Sequence, residues 1–195
     1  AMLLHPLWSS LRPTQWVKNL IVFAGLIFSR HFDQADSVLR SLGAFAIFCV
    51  LASAIYLFND IRDRETDRAH PQKQTRPIAS GTLPLSVAAM AAVLLTLIGF
   101  AGAWMLGRAL LLTVAIYALL NAAYSLGLKR LPVIDVMVVA TGFVLRAVAG
   151  AEAIEVEISP WLAGCTLLLA LFLGFGKRRW ELVALGDQAT SHRAA

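Results

Sequence analysis

The run Asn59-Asp60-Ile61-Arg62-Asp63-Arg64-Glu65-Thr66-Asp67 gathers side chains able to hold a metal and its phosphate ligands. If the run is helical, Asp60, Asp63 and Asp67 stand at i, i+3 and i+7. At about 3.6 residues per turn they share one face, with Asn59 beside them. Like charges on one stripe repel, and a divalent cation removes that repulsion. Magnesium suits the set, because it takes one or two carboxylates, keeps waters and binds substrate phosphate oxygens. Calcium would call for the alternating ligands and glycine of an EF-hand, which are missing. Zinc would call for His or Cys ligands, and the run itself holds none. The plainer reading is a solvated helix end where Arg64 and Arg68 pair with the acids. Lys73, Arg76 and Pro77 follow within one loop and favour the metal reading, since they put phosphate-binding cations beside the carboxylates.

Other polar residues recur near apolar stretches. Arg12, Gln15 and Asn19 repeat at helical spacing, with Lys18 adjacent. They read either as headgroup anchors whose stems snorkel or as part of a site. Asn121, Tyr124 and Ser125 line one helix face ahead of Lys129 and Arg130, which also suits interhelical hydrogen bonding. Gly176-Lys177-Arg178-Arg179-Trp180-Glu181 is a basic run of the kind that anchors anionic lipid. Asp135 and Arg146 lie eleven residues apart in one apolar segment. On a straight helix that is about 16 Å, too far for an ion pair. Asp135 is near enough to one end to join the carboxylates, whereas Arg146 is deeper and has no evident role. Cys49 and Cys165 lack metal-ligand spacing and read as small packing residues.

These residues must be positioned by membrane helices. Hydrophobic residues make up 58% of the 195 and charged residues only 15%, against about 25% in soluble domains. Residues 41–59, 77–107, 109–128 and 158–176 contain no Asp, Glu, Lys or Arg. A crossing helix needs about 20 apolar residues, and we read six spans, centred near residues 22, 50, 96, 118, 141 and 167. The first has the shortest apolar core, Leu20 to Phe28, and works if it begins near Pro13 with Trp16 and Lys18 at the interface. Pro84, Pro132 and Pro160 open the third, fifth and sixth, where a missing N–H costs little. The fold class expected is all-α, a single polytopic bundle over residues 1–195. No cleavable signal peptide is evident, and Ala1 ahead of Met2 reads as a cloning remnant.

Charge orients the bundle. With the N-terminus inside, thirteen Lys and Arg fall on the inner side and three (Arg30, Arg40 and Arg108) on the outer side. That is the positive-inside bias, and the net charge of +5 is topology rather than a nucleic-acid signature. The carboxylate run, the 61–83 loop and the 177–181 run all meet at the cytoplasmic face.

Four stretches resemble the UbiA superfamily of intramembrane prenyltransferases, and within it the decaprenyl-phosphate phosphoribosyltransferases. They are Arg12-Pro13-x-Gln15-Trp16-x-Lys18-Asn19, Asn59–Asp67 running on to Arg76-Pro77-Ile78-Ala79-x-Gly81, Tyr124-Ser125-x-x-Leu128-Lys129, and Lys177-Arg178-Arg179-x-Glu181. The resemblance covers essentially the whole chain. It implies a bundle around a lipid-open cavity in a bacterial inner membrane, with the site on the cytoplasmic face. It implies Mg2+, 5-phosphoribosyl 1-diphosphate as donor and a polyprenyl phosphate as acceptor, giving an arabinan precursor of the cell wall. On that basis Asn59, Asp60, Asp63 and Asp67 would hold the metal, with Asp60 and Asp63 catalytic. Lys18, Asn19, Lys73, Arg76, Tyr124, Lys129, Asp135, Lys177, Arg178 and Glu181 would contact substrates. Prenyl-group transferases of the superfamily carry a second acidic motif where this chain has Lys177-Arg178-Arg179, which favours phosphoribosyl transfer. The resemblance also implies nine helices against six here, so a C-terminally truncated member is expected. Transfer of a prenyl group to an aromatic acceptor, and non-catalytic binding of polyprenyl phosphate, remain the alternatives.

Overall fold

The computed structural model describes residues 3–185, and all its regular elements are helical. Helix α1 (Leu4–Leu11) leads into a 3-10 helix, Pro13–Phe23, and then α2 (Ala24–Phe28). Long helices follow: α3 (Ala35–Arg62), α6 (Leu85–Leu106), α7 (Arg108–Leu126), α8 (Ile134–Ala153) and α9 (Pro160–Leu185). Two short helices, α4 (Arg64–Ala69) and α5 (Pro77–Ser80), fill the loop between α3 and α6. Five of these helices are long and apolar enough to cross a membrane.

The expectation of a regular first span is corrected. Arg12 adopts a left-handed conformation (φ 53°) that stops α1, and Pro13 begins a tighter helix. A 3-10 helix rises about 2.0 Å per residue against about 1.5 Å for an α-helix, so residues 13–28 together still extend about 30 Å. A short apolar stretch thereby reaches the length of a crossing.

Helix α3 is the hub, packed against α1, the 3-10 helix, α6, α7 and α8. Its buried residues are mostly small (Ala44, Cys49, Ala52, Ser53, Ala54), and small residues let membrane helices approach closely. The same logic operates on α8, where Ala147, Ala149, Gly150, Ala151 and Ala153 are buried. A Cβ added at Gly150 would lie 1.8 Å from the carbonyl oxygen of Val22, so only glycine admits the 3-10 helix there. At the other side Gly107, at φ 149°, turns α6 into α7 in a single residue, a backbone region essentially confined to glycine. Helices α6 and α9 instead point Val93, Leu94, Leu97, Leu168, Phe172 and Leu173 outward, as lipid-facing helices do.

The two ends of the bundle differ in charge. At the end formed by the start of α3 and the end of α8, Arg40 pairs with Asp36 at 2.9 Å and Glu155 at 3.0 Å. At the opposite end lie Arg12, the aspartates of α3 and α4, Arg76, Lys129, Asp135 and Arg178. Almost every residue that could do chemistry is therefore gathered at one end.

Candidate active site

The α3 helix does not run through the aspartates as the spacing predicts. It stops at Arg62; Asp63 leaves helical geometry (φ −88°, ψ 7°), and α4 restarts at Arg64. The break parts Asp63 from the others. Asp60 and Asp67 are buried, with 4% and 3% of their side chains exposed. One guanidinium nitrogen of Arg76 bridges them, 3.2 Å from Asp60 Oδ1 and 2.7 Å from Asp67 Oδ2. Arg12 donates to the same Asp60 oxygen at 2.6 Å and lies over the Tyr56 ring, 4.8 Å from its centroid. Asp63 instead accepts from Lys129 Nζ, 2.6 Å from both oxygens. The partners Arg64 and Arg68, expected on the plainer reading, do not pair with the aspartates. Arg64 faces Glu65, and Arg68 faces Glu65 and the carbonyl of Ala79.

Local folding delivers Arg76 to this place. Ile78 and Leu83 are buried against Leu57 and Ala88, and Pro77 starts α5 at its first position. The Arg68–Ala79 bond of 2.9 Å ties α4 to α5. The loop is thus folded back under α3, and Arg76 at the mouth of α5 faces the end of α3.

No three acidic, His or Cys side chains converge among the described residues. The single stripe of Asn59, Asp60, Asp63 and Asp67 is corrected to two groups. Asn59 is met by the hydroxyl of Ser125 on α7; Asp63 faces Lys129. Asp60 and Asp67 still fit magnesium, since a cationic nitrogen already lies between them and two carboxylates are the number that ion prefers beside phosphate oxygens.

A cavity of about 260 Å³ runs inward from Asn59 and Tyr124 to Tyr56, Tyr117 and Arg146, with Lys18 on its wall. A second, of about 360 Å³, is lined by Lys18, Tyr124, Asp135, Lys177 and Arg178. Lys18 and Tyr124 belong to both, which makes them the boundary between the two. Arg178 pairs with Asp135 Oδ2, while Asp135 Oδ1 is buried with no hydrogen-bond partner. That leaves an acceptor for a hydroxyl donor.

Other expected residues lie elsewhere. Asn19 is fully buried, its Nδ2 donating to Cys49 Sγ at 3.4 Å and its Oδ1 accepting from Arg146 at 2.8 Å. It supports a neighbour and lines neither cavity, a correction to its place among substrate contacts. Lys73 lies on the surface turn before α5, outside both cavities. The side chain of Glu181 lies outside the described residues, as does Arg193. Cys49 is buried and Cys165 exposed on α9.

Sequence reasoning missed Arg12 as a partner of Asp60, and Tyr56, Tyr117 and Arg146 as cavity walls. Arg146 carried a signal, because an ionisable group deep in a span normally faces a cavity. Arg12 carried none, since its partner is 48 residues away.

The model of the UbiA prenyltransferase family matches residues 19–178. The decaprenyl-phosphate phosphoribosyltransferase of Mycolicibacterium smegmatis is 40% identical over 184 residues, covering 92% of this chain and 58% of that protein. The enzyme of the same name from Corynebacterium glutamicum is 42% identical over 179 residues, covering 89% and 54%. The chain thus spans less than two thirds of the length of these curated relatives. Among solved structures, a UbiA homolog from Archaeoglobus fulgidus bound to DMAPP and Mg2+ superposes with a TM-score of 0.74 at 20% identity. That match covers 94% of this chain and 64% of that one and speaks to the fold.

Proposed function

The chain belongs to the UbiA prenyltransferase family, and from that premise we propose that it moves a 5-phosphoribosyl group from 5-phosphoribosyl 1-diphosphate to a polyprenyl phosphate. The relatives named for decaprenyl phosphate support the acceptor class. The observation that carries the reading is the basic wall of the second cavity. There Lys177, Arg178 and Lys18 occupy the side where a prenyl-diphosphate enzyme would need further carboxylates. A reaction that brings together a diphosphate, a 5-phosphate and a lipid phosphate calls for this excess of cations.

The chemistry needs little acid–base help. The acceptor is a phosphomonoester with a second pKa of about 6, so near neutrality it is already a dianion. Its oxygen attacks the anomeric carbon of ribose. A new C–O bond forms as the bond to diphosphate breaks, and the electron pair leaves on the diphosphate. Arg12, Arg76 and Lys129 are held by Asp60, Asp67 and Asp63 at the same end of the bundle, where they would neutralise the donor's charge. Lys18 or the Lys177–Arg178 pair receives the acceptor phosphate. Asp135, through its unpartnered oxygen, takes a ribose hydroxyl. Magnesium, held by Asp60 and Asp67, would neutralise the departing diphosphate. The polyprenyl tail lies among the spans. The positive-inside bias supports a site on the cytoplasmic side, and the bacterial relatives support an inner membrane as its location.

The test uses membranes bearing the chain, with magnesium, labelled donor and decaprenyl phosphate, and follows label into the organic phase. Wild type is expected to transfer label, and Asp60→Asn to lose on the order of 10²–10³ in rate, the usual scale for removing a preorganised electrostatic contact. Retained turnover in that variant would sink the metal assignment. No label in wild type would turn attention to prenyl diphosphates and aromatic acceptors.

A further inference from the structure

Arg146 stands twelve residues into α8, about 18 Å along the helix from its cytoplasmic end. Its guanidinium is fixed on three sides. Nε donates to Asn19 Oδ1 at 2.8 Å, one Nη to the carbonyl of Gly142 at 2.8 Å and the other to the Tyr117 hydroxyl at 2.7 Å. The rings of Tyr117 and Phe143 lie 4.9 and 5.3 Å from it. Every one of these partners is neutral. Among the described residues no carboxylate pairs with Arg146, and Lys18, on the wall of the same cavity, makes no hydrogen bond or ion pair. The groups in its electrostatic surroundings are Lys177, Arg146 and Arg12, all cations.

Two positive charges therefore face one cavity whose lining holds no acid, Arg146 at membrane depth and Lys18 nearer the interface. A charge there normally pairs or lines a substrate path. Of the five N–H groups of a guanidinium, three are used, which leaves two for a ligand in addition to the Lys18 ammonium. A fork fixed in this way suits tetrahedral oxyanions. A carboxylate would cancel one of the two charges. A phosphomonoester, close to −2 near neutrality, cancels both.

We infer that the Arg146–Lys18 cavity is a phosphomonoester subsite, distinct from the Asp60–Asp67 diphosphate end, and that Asn19 and Tyr117 are the positioning residues that aim its guanidinium. The inference rests on the phosphoribosyl-transfer reading for its two possible ligands, the 5-phosphate of the donor and the phosphate of the lipid acceptor. Both carry the same chemical group, and binding without turnover separates them.

The experiment measures equilibrium binding to the purified full chain in nanodiscs, in EDTA, with ribose 5-phosphate and geranyl phosphate as probes and geraniol as the neutral control. In Arg146→Met, affinity for at least one phosphate probe is expected to fall about 30-fold or more, as when one member of a desolvated charge pair is removed. Arg146→Lys keeps the charge but loses the fork and the ring stacking, so its affinity should fall between those of Arg146→Met and wild type. Loss for ribose 5-phosphate alone assigns the subsite to the donor, loss for geranyl phosphate alone to the acceptor, and loss for both to a shared site. A folded Arg146→Met that binds both probes as wild type does overturns the inference. If that variant does not fold, Lys18→Met takes its place, since Lys18 supports no other residue. It should weaken the same probe by about tenfold, and unchanged binding overturns the inference equally. Because no turnover is needed, Arg146-dependent binding without label transfer would condemn the proposed reaction and leave the subsite standing.

Discussion

At the C-terminal end of α3 every aspartate meets a cation, whereas on α8 a lone arginine meets only neutral groups. Asp60 and Asp67 share Arg76, and Asp63 holds Lys129. Arg146 has an amide, a phenol and a carbonyl. The first centre is balanced in charge and built from side chains that could exchange partners with the proposed diphosphate and metal. The second is unbalanced but rigid, with its charge aimed before any ligand comes. Balance at the surface and imbalance at depth suit different tasks. On the proposed reaction, the surface centre assembles around a diphosphate that water also solvates, while the deep one draws a single anion where water competes poorly.

The comparison breaks most severely if the frame of the deep centre moves. Gly150→Ala would drive a methyl into the Val22 carbonyl, 1.8 Å away, and push the 3-10 helix off α8. Asn19 rides on that helix, so Arg146 loses its aim while the Asp60–Arg76–Asp67 group stays intact. We expect a loss of about 3 kcal/mol, the upper part of the overpacking range, read as a fall in thermal unfolding temperature in detergent. An unchanged melting curve would mean that the close approach of Gly150 and Val22 is not required.

A gentler change sharpens the contrast. Tyr117→Phe keeps the ring over Arg146 and deletes only the hydroxyl that accepts its hydrogen bond at 2.7 Å. Bonds to charged groups contribute about 1.5–3 kcal/mol, so a destabilisation of about 1.5 kcal/mol is expected. It should be insensitive to salt, because the pair lies in the membrane interior. The check is chemical denaturation at low and high ionic strength; a salt-dependent loss would contradict the picture of a desolvated centre.

Much of this was legible in the chain. Charge-free stretches marked α3, α6, α7 and the apolar part of α9, and the prolines at 84, 132 and 160 sit at or just before helix starts. The first span was misread in form, because the signal for a 3-10 helix lies in its partner. The small face of α8 accepts it, and Gly150 alone among those residues shows why. The site was legible as a set of residues at one end but not as a set of pairs. Arg12 reaches Asp60 across 48 residues and Lys129 reaches Asp63 across 66, and neither separation leaves a periodic trace. The break at Asp63 was hidden too, since Asp60, Asp63 and Asp67 at i, i+3 and i+7 look continuous although α3 ends at Arg62 and α4 restarts at Arg64.

The pair formed by Lys129 and Asp63 is where the surface centre should prove most forgiving. Both side chains are roughly 30% exposed, so water can take over either charge when the other is removed. Lys129→Met should cost less than about 1 kcal/mol of stability, and the difference from wild type should shrink further as salt rises toward 1 M, where the Debye length falls to about 3 Å. On the proposed reaction its functional effect should appear in the KM for the donor, with Lys129 offering charge to the diphosphate rather than holding the fold. A loss of several kcal/mol on removing Lys129 would show the opposite, that Asp63 is as dependent on its partner as Arg146 is on its frame. The distinction between an exchangeable surface centre and a fixed deep one would then fail at its weakest member.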